Sequence, residues 1–303
     1  MQVTADFISD GICRITLSNP PMNLLTDRVK RDITESFTRV SRDPSIRVVL
    51  FVAAGRHFCC GADLKEFPER IASNAAGRVW DDGHRMLEAI IRMPQPTIAC
   101  VQGNAIGGGA ELALAFDFRY FEQDARFGLP EVTRGVMPGN GGLERLVDLA
   151  GLGKAIELMA TGRIISAAEA KAMGIATAVA PADAGKTPPM PLTEAAQTPN
   201  AGASTTSAVL PASSMPSHHT DEAGSETPCT PMLKAAEALA RQLAALPAVA
   251  VQAVKCAAHQ YTASKARFCP TGRDMFERLH ATDDIREGVQ AFLEKRTPVF
   301  KHR

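Results

Sequence analysis

No sign of charge prevails in this sequence. Its 303 residues carry 33 Lys+Arg against 33 Asp+Glu, so the balance gives no reason to expect nucleic acid or an acidic membrane surface as a partner. The seven cysteines (Cys13, Cys59, Cys60, Cys100, Cys229, Cys256 and Cys269) contain no C-x-x-C pair, and their number is odd. In a chain this long they read as reduced, often buried thiols rather than a disulfide framework. No apolar run approaches the length of a membrane span. Met1 to Asp6 lacks the basic start and apolar stretch of a signal peptide, and Lys301-His302-Arg303 is not a peroxisomal address. The expectation is a soluble cytoplasmic protein. There is no H-E-x-x-H, no metal spacing of histidine with cysteine and no G-x-S-x-G elbow. Gly107 to Leu112 lacks the third glycine of a dinucleotide fingerprint. Gly185-Lys186-Thr187 has Ala180 where a phosphate loop needs glycine. Neither a metal nor a nucleotide cofactor is expected.

What is present is 45% hydrophobic composition, enough for one large domain or a large and a small one. A strand from Gly11 to Leu17 follows a hairpin-like turn at Ser9-Asp10-Gly11. Thr26 can cap a helix whose apolar positions Val29, Ile33, Phe37 and Val40 recur at helical spacing, with Asp43-Pro44 as its stop. Val48 to Ala53 and Thr97 to Gln102 read as buried strands. Helices are predicted at Val79–Arg92, Gly108–Phe116, Gly142–Leu149, Lys154–Ala160 and Ala167–Met173, with a strand at Phe118–Phe121. Strand, loop and helix recur, so the class is α/β with helices packed on sheet. Residues 184–231 are rich in Pro, Ser, Thr, Ala and Gly and read as a disordered insert that cannot bury enough apolar surface to order itself. The organisation is therefore a core at 1–183, the insert at 184–231, and a C-terminal region at 232–303. That last region is helical over Leu233–Leu246, Val249–Arg267 and Thr282–Arg296. These helices read as a separate layer, with Val299-Phe300 as an apolar tail packing back.

Three segments carry the chemistry. The first is His57-Phe58-Cys59-Cys60-Gly61-Ala62-Asp63-Leu64-Lys65-Glu66-Phe67, directly after a buried strand. The second is Gln102-Gly103-Asn104-Ala105-Ile106-Gly107-Gly108-Gly109-Ala110-Glu111-Leu112-Ala113. The third runs from Ala125 through Pro130-Glu131-Val132 to Gly135-Val136-Met137-Pro138-Gly139. Taken singly, each has a purely structural reading. The glycines could only pack a helix on a sheet, Glu111 could complement a helix dipole, and Glu131 could be a solvated loop carboxylate.

In this order and spacing the segments resemble the crotonase superfamily, the enoyl-CoA hydratase/isomerase group, and the resemblance runs over residues 3–181 and 232–300. It implies a spiral of ββα repeats followed by a helical region that trimerises, giving a homotrimer or homohexamer. It also implies acyl-CoA as substrate, with no separate cofactor because coenzyme A is part of that substrate. The expected reaction is hydration of 2-enoyl-CoA thioesters. By the resemblance, the N–H groups of Ala62 and Gly108 form an oxyanion hole for the thioester oxygen, the place where charge develops. Glu131 transfers the C2 proton and Glu111 chiefly activates water. Coenzyme A would meet Met22, Leu24, Ala62, Asp63, Leu64 and Lys65, and in the C-terminal region Phe276 and Lys295. One departure is the loop Asn19 to Leu24, which lacks the lysine many hydratases carry there. Glu69 to Asp82 reads as a loop shaping the acyl pocket. Rival readings are another reaction of the same superfamily (isomerisation, or a specialised hydratase/dehydratase) and an RNA-binding relative. The RNA reading is weakened because Arg28, Lys30, Arg31 and Arg39 are diluted by Asp27, Asp32 and Glu35.

Overall fold

The computed structural model describes residues 2–181 and 230–264, with Asp283, Asp284, Glu287, Ala291, Glu294, Arg296 and 298–301. The chain opens on a hairpin of β1 (Val3–Ser9) and β2 (Ile12–Leu17). Asp10 and Gly11 both have positive φ at the turn, the backbone that matches strand twist in a two-residue hairpin. Helix α1 (Asp27–Ser41) starts where Thr26 accepts the Val29 N–H at 3.2 Å, and it buries Val29, Ile33, Phe37 and Val40. Then follow β3 (Val48–Ala53), α2 (Phe67–Ala72), α3 (Ala76–Ile91) and β4 (Thr97–Val101). The stretch from Glu69 to Asp82, expected as a loop, is therefore helical except around Ser73 to Ala75. Its first helix is too short to show a period, which is why the sequence concealed it.

Next come β5 (Asn104–Ile106), α4 (Gly108–Leu114), β6 (Phe118–Glu122), β7 (Arg126–Gly128), α5 (Gly142–Ala150) and α6 (Leu152–Thr161). The remaining elements are β8 (Ile165–Ser166), α7 (Ala167–Ala172), β9 (Ala178–Ala180), α8 (Pro231–Ala244) and α9 (Ala248–Ser264). Six strands form one sheet in the order β1-β2-β3-β4-β6-β9, parallel from β2 onward, and β5-β7-β8 form a second. Two successive units share one plan. β4 and β6 join the large sheet, and each is followed within a few residues by a short strand of the small sheet (β5, β7). After β3 the equivalent short strand is reduced to a single bridge, Cys59 to Ala105. This is the ββα repeat expected of the core.

Strand β3 is buried throughout because both sheet faces are covered. Val49, Phe51 and Ala53 point into the core with α1 and α3, where Phe51 lies 5.0 Å from Phe116 and 6.0 Å from Phe37, ring centre to ring centre. Val48, Leu50 and Val52 point the other way, onto Met232, Leu233, Ala236, Ala240 and Ala244 of α8. The first C-terminal helix is thus part of the core and not a layer apart. Of the expected apolar tail, Val299 is 74% exposed and Phe300 is half-buried. The expected insert lies outside the described residues except for Thr230 and Pro231. Thr230 caps α8 by accepting the Leu233 N–H.

Candidate active site

The three sequence segments fall at one structural position, the C-terminal ends of consecutive short strands. The backbone pairs them directly. Cys59 N–H donates to Asn104 O (3.0 Å), Ile106 N–H to Cys59 O (3.0 Å) and Gly107 N–H to Gly128 O (2.8 Å). That lacing brings together the residues just beyond each strand: Ala62, Gly108 and Glu131. A Cβ on Gly108 would stand 3.8 Å from the Ala62 nitrogen. Among the described residues, neither the Ala62 nor the Gly108 N–H meets a hydrogen-bond acceptor. Both residues are half-buried, so the two donors stand open to a ligand or to water. Helix α4 approaches this closely because of its glycines. Gly107 has φ +57°, and a Cβ there would sit 3.2 Å from Glu131 Oε1. A Cβ at Gly109 would lie only 2.0 Å from Cys59 O.

The two carboxylates sit in contrasting environments. Glu111 on α4 is 1% exposed. Its Oε1 accepts the N–H groups of Asn140 (2.8 Å) and Gly142 (3.0 Å), and its Oε2 accepts the Asn140 side-chain amide (2.6 Å). Its pKa is raised: burial outweighs the opposing pull of these three donors and the Arg145 charge. Glu131 opens a 3-10 turn, Glu131–Arg134. Its Oε2 is buried with no hydrogen-bond partner. Burial, and secondarily the Glu111 charge, raise its pKa from 4.5 to about 7, against its own backbone N–H and Arg134. Burial raises both carboxyls, and three donors oppose the rise at Glu111 where Glu131 has only its own N–H and an unpartnered Oε2. The pair can therefore hold an acid and a base side by side near neutral pH.

Around them, Cys60 N–H donates to Met22 O (3.0 Å) and Leu25 N–H to Gly61 O (2.8 Å), so Met22 and Leu24 flank the Ala62 turn. Asn23 fastens that loop, donating to Ala54 O (2.9 Å) and His57 O (2.7 Å) and accepting from Asn19 N–H (2.8 Å). Asp63 accepts the Lys65 N–H (3.0 Å) at the head of a 3-10 turn over Leu64–Glu66, on which Leu64 and Lys65 are exposed. Phe276 and Lys295 lie outside the described residues. Among the described residues, no group of three or more His, Cys, Asp or Glu could hold a metal ion. No helix among them is long and apolar enough to cross a membrane. Sequence reading missed Asn23, Asn140 and Gly142. The signal for the last two was adjacent: Asn140-Gly141-Gly142 continues the third segment, and the paired glycines mark a backbone that turns sharply.

Known proteins resemble this chain along its length. A family model described as enoyl-CoA hydratase/isomerase matches residues 8–220 and 225–303. A probable enoyl-CoA hydratase of Mycobacterium bovis is 32% identical over 95% of this chain and 94% of its own. A 2,3-dehydroadipyl-CoA hydratase of Escherichia coli is 31% identical over the same shares. With a probable enoyl-CoA hydratase of Bacillus subtilis the match is 34% identical and spans 65% of that protein. Among solved structures, an enoyl-CoA hydratase of Bacillus anthracis superposes with a TM-score of 0.76 at 28% identity, covering 100% of both chains.

Proposed function

The chain belongs to the enoyl-CoA hydratase/isomerase family, and from that premise we propose that it is a hydratase adding water across the double bond of 2-enoyl-CoA thioesters. The observation that carries this reading is the unequal pair of carboxylates beside two unsatisfied backbone donors. Hydration needs a base for water, an acid for carbon and a place for the oxyanion. Ala62 and Gly108 N–H receive the thioester oxygen, and such a donor is typically worth ~3 kcal/mol in the transition state. Glu111, in its carboxylate form, takes a proton from water as the water oxygen bonds to C3. Electron density moves through the alkene onto the thioester oxygen. Glu131, protonated, delivers its proton to C2, and the thioester carbonyl is restored. The two carboxyls then exchange one proton to return to their starting states.

We place coenzyme A along the backbone of Met22, Leu24 and Ala62 to Lys65, with Phe276 and Lys295 as further contacts. No separate cofactor enters this scheme. A homotrimer or homohexamer in the cytoplasm remains our reading of the assembly. An RNA-binding role draws no support from α1, where Lys30 is buried.

The test is a hydration assay with crotonyl-CoA and longer 2-enoyl-CoAs, followed by loss of enoyl-thioester absorbance. Glu111→Gln and Glu131→Gln should each lower turnover by roughly 10²-fold or more. Exchange of the C2 protons of a saturated acyl-CoA with deuterated water separates them, since it needs the C2 group but no water nucleophile. Glu131→Gln should abolish exchange and Glu111→Gln should keep a measurable part of it. The opposite order reverses the roles, and two fully active variants remove the reading.

A further inference from the structure

Asn140 reaches Glu111 twice, through its backbone N–H to Oε1 and through its side-chain amide to Oε2. With the Gly142 N–H on Oε1, three donors are in place. A carboxylate offers about four acceptor positions, so one is left, on Oε2. The far end of the same amide has its own seat. A Cβ on Gly83 would fall 1.7 Å from Asn140 Oδ1 and 2.7 Å from its Cγ. Gly83 lies inside α3, a helix of 16 residues, where glycine is the least favourable residue after proline. Its φ is not in the positive region, so the backbone gives no reason for glycine there. The missing side chain is the space that the Asn140 amide fills.

We infer that Asn140 is a positioning residue for Glu111, seated by the absent side chain of Gly83, and that its amide leaves the carboxylate a single acceptor position for the reacting water. The inference rests on Glu111 as the water-activating base. It assigns the amide two effects. The carboxylate is held in one orientation, and its charged form is favoured against the burial that opposes it. Gly83 makes no bond to Glu111 and acts only by admitting the amide.

Asn140→Ala removes the amide and keeps the backbone donor. On crotonyl-CoA its kcat should fall about tenfold or more with KM nearly unchanged. The acid limb of its kcat profile should move to higher pH, because a carboxylate that loses a donor is harder to ionise. An acid limb unmoved from the parent's overturns the inference. The seat is tested by crossing this change with Gly83→Ala. In the parent, the new methyl must displace the amide, so Gly83→Ala alone should reproduce both the loss and the shift. In Asn140→Ala the two close atoms are gone and the methyl meets the remaining Cβ at an ordinary 3.5 Å, so it should add no further loss and should raise the melting temperature as a better helix former. Losses that simply multiply in the double variant overturn the seat. Glu111→Gln keeps the two readings apart. If that variant hydrates like the parent, Glu111 is not the base and the proposed function fails. If it is inactive while Asn140→Ala keeps the parent's profile, only the positioning inference fails.

Discussion

At the scale of single residues, Glu131 pits stability against chemistry. Its carboxyl titrates near pH 7 when folded, against 4.5 for the free group. Between those values this group binds more proton in the folded chain than in the unfolded one, so its contribution to stability is fully present below pH 4.5 and is lost as pH rises through 7. Glu131→Gln removes that titration. The variant should match the parent near pH 4 and exceed it at about pH 8 by ~1–2 kcal/mol, a figure reduced because the side chain is partly exposed. Melting temperatures of the two proteins across this range measure it. A gap that stays constant with pH would mean the carboxyl is not held neutral by burial. Glu111 is less simple, because the same burial acts on it while three donors oppose the effect. Its presence beside the Gly107–Gly109 turn was legible from the second segment, but the donors were not. They come from residues 29 and 31 positions away, and no local pattern announces that distance.

At the scale of elements, the decisive joint is the entry to α4. Gly109 packs on the Cys59 backbone, which cannot step aside without breaking the pairing of the short strands. Gly109→Ala should therefore cost several kcal/mol, as severe overpacking does, and should abolish turnover by moving Gly108 away from Ala62. Gly153→Ala, in α6 with nothing within 4 Å of the new methyl, should instead be neutral or stabilising by up to about 1 kcal/mol. Denaturant midpoints of the two variants check the contrast, and equal effects would mean that the close approach at Gly109 is not a constraint. The longer elements were legible. Val48–Ala53 is the observed β3, and the α1 stripe falls where its period placed it. The strands β5, β7 and β8 were not, since two or three residues carry no periodicity. They exist because neighbouring repeats pair them.

At the scale of the whole molecule, α8 closes a core that the first 181 residues leave open. Ile12, Val48, Leu50, Val52, Ile98 and Cys100 have their cover on that helix. Ending the chain before Thr230 should expose this face and give aggregated protein, as an uncovered apolar patch of that kind does. Replacing residues 184–229 with a short Gly/Ser linker, which keeps the Thr230 cap, should leave activity and assembly size nearly unchanged, because loop length changes closure entropy only slowly. Light scattering and the hydration assay on both proteins decide it. A soluble, well-folded truncation would refute the role of α8, and an inactive linker variant would give the 184–229 stretch a function.

The amino-acid sequence by itself determined the class of fold, the long helices and buried strands, and three segments whose order identifies the family. These depend on local periodicity and on residue types that a fixed chemistry requires, and both are written along the chain. The tertiary structure alone decided that α8 belongs to the core, that 69–82 is mostly helical, and that Asn140 reaches Glu111 through space left by Gly83. Each of these is a contact between residues distant in sequence. Their proximity follows from how successive repeats stack, and stacking has no local signature for a reader of the chain to find.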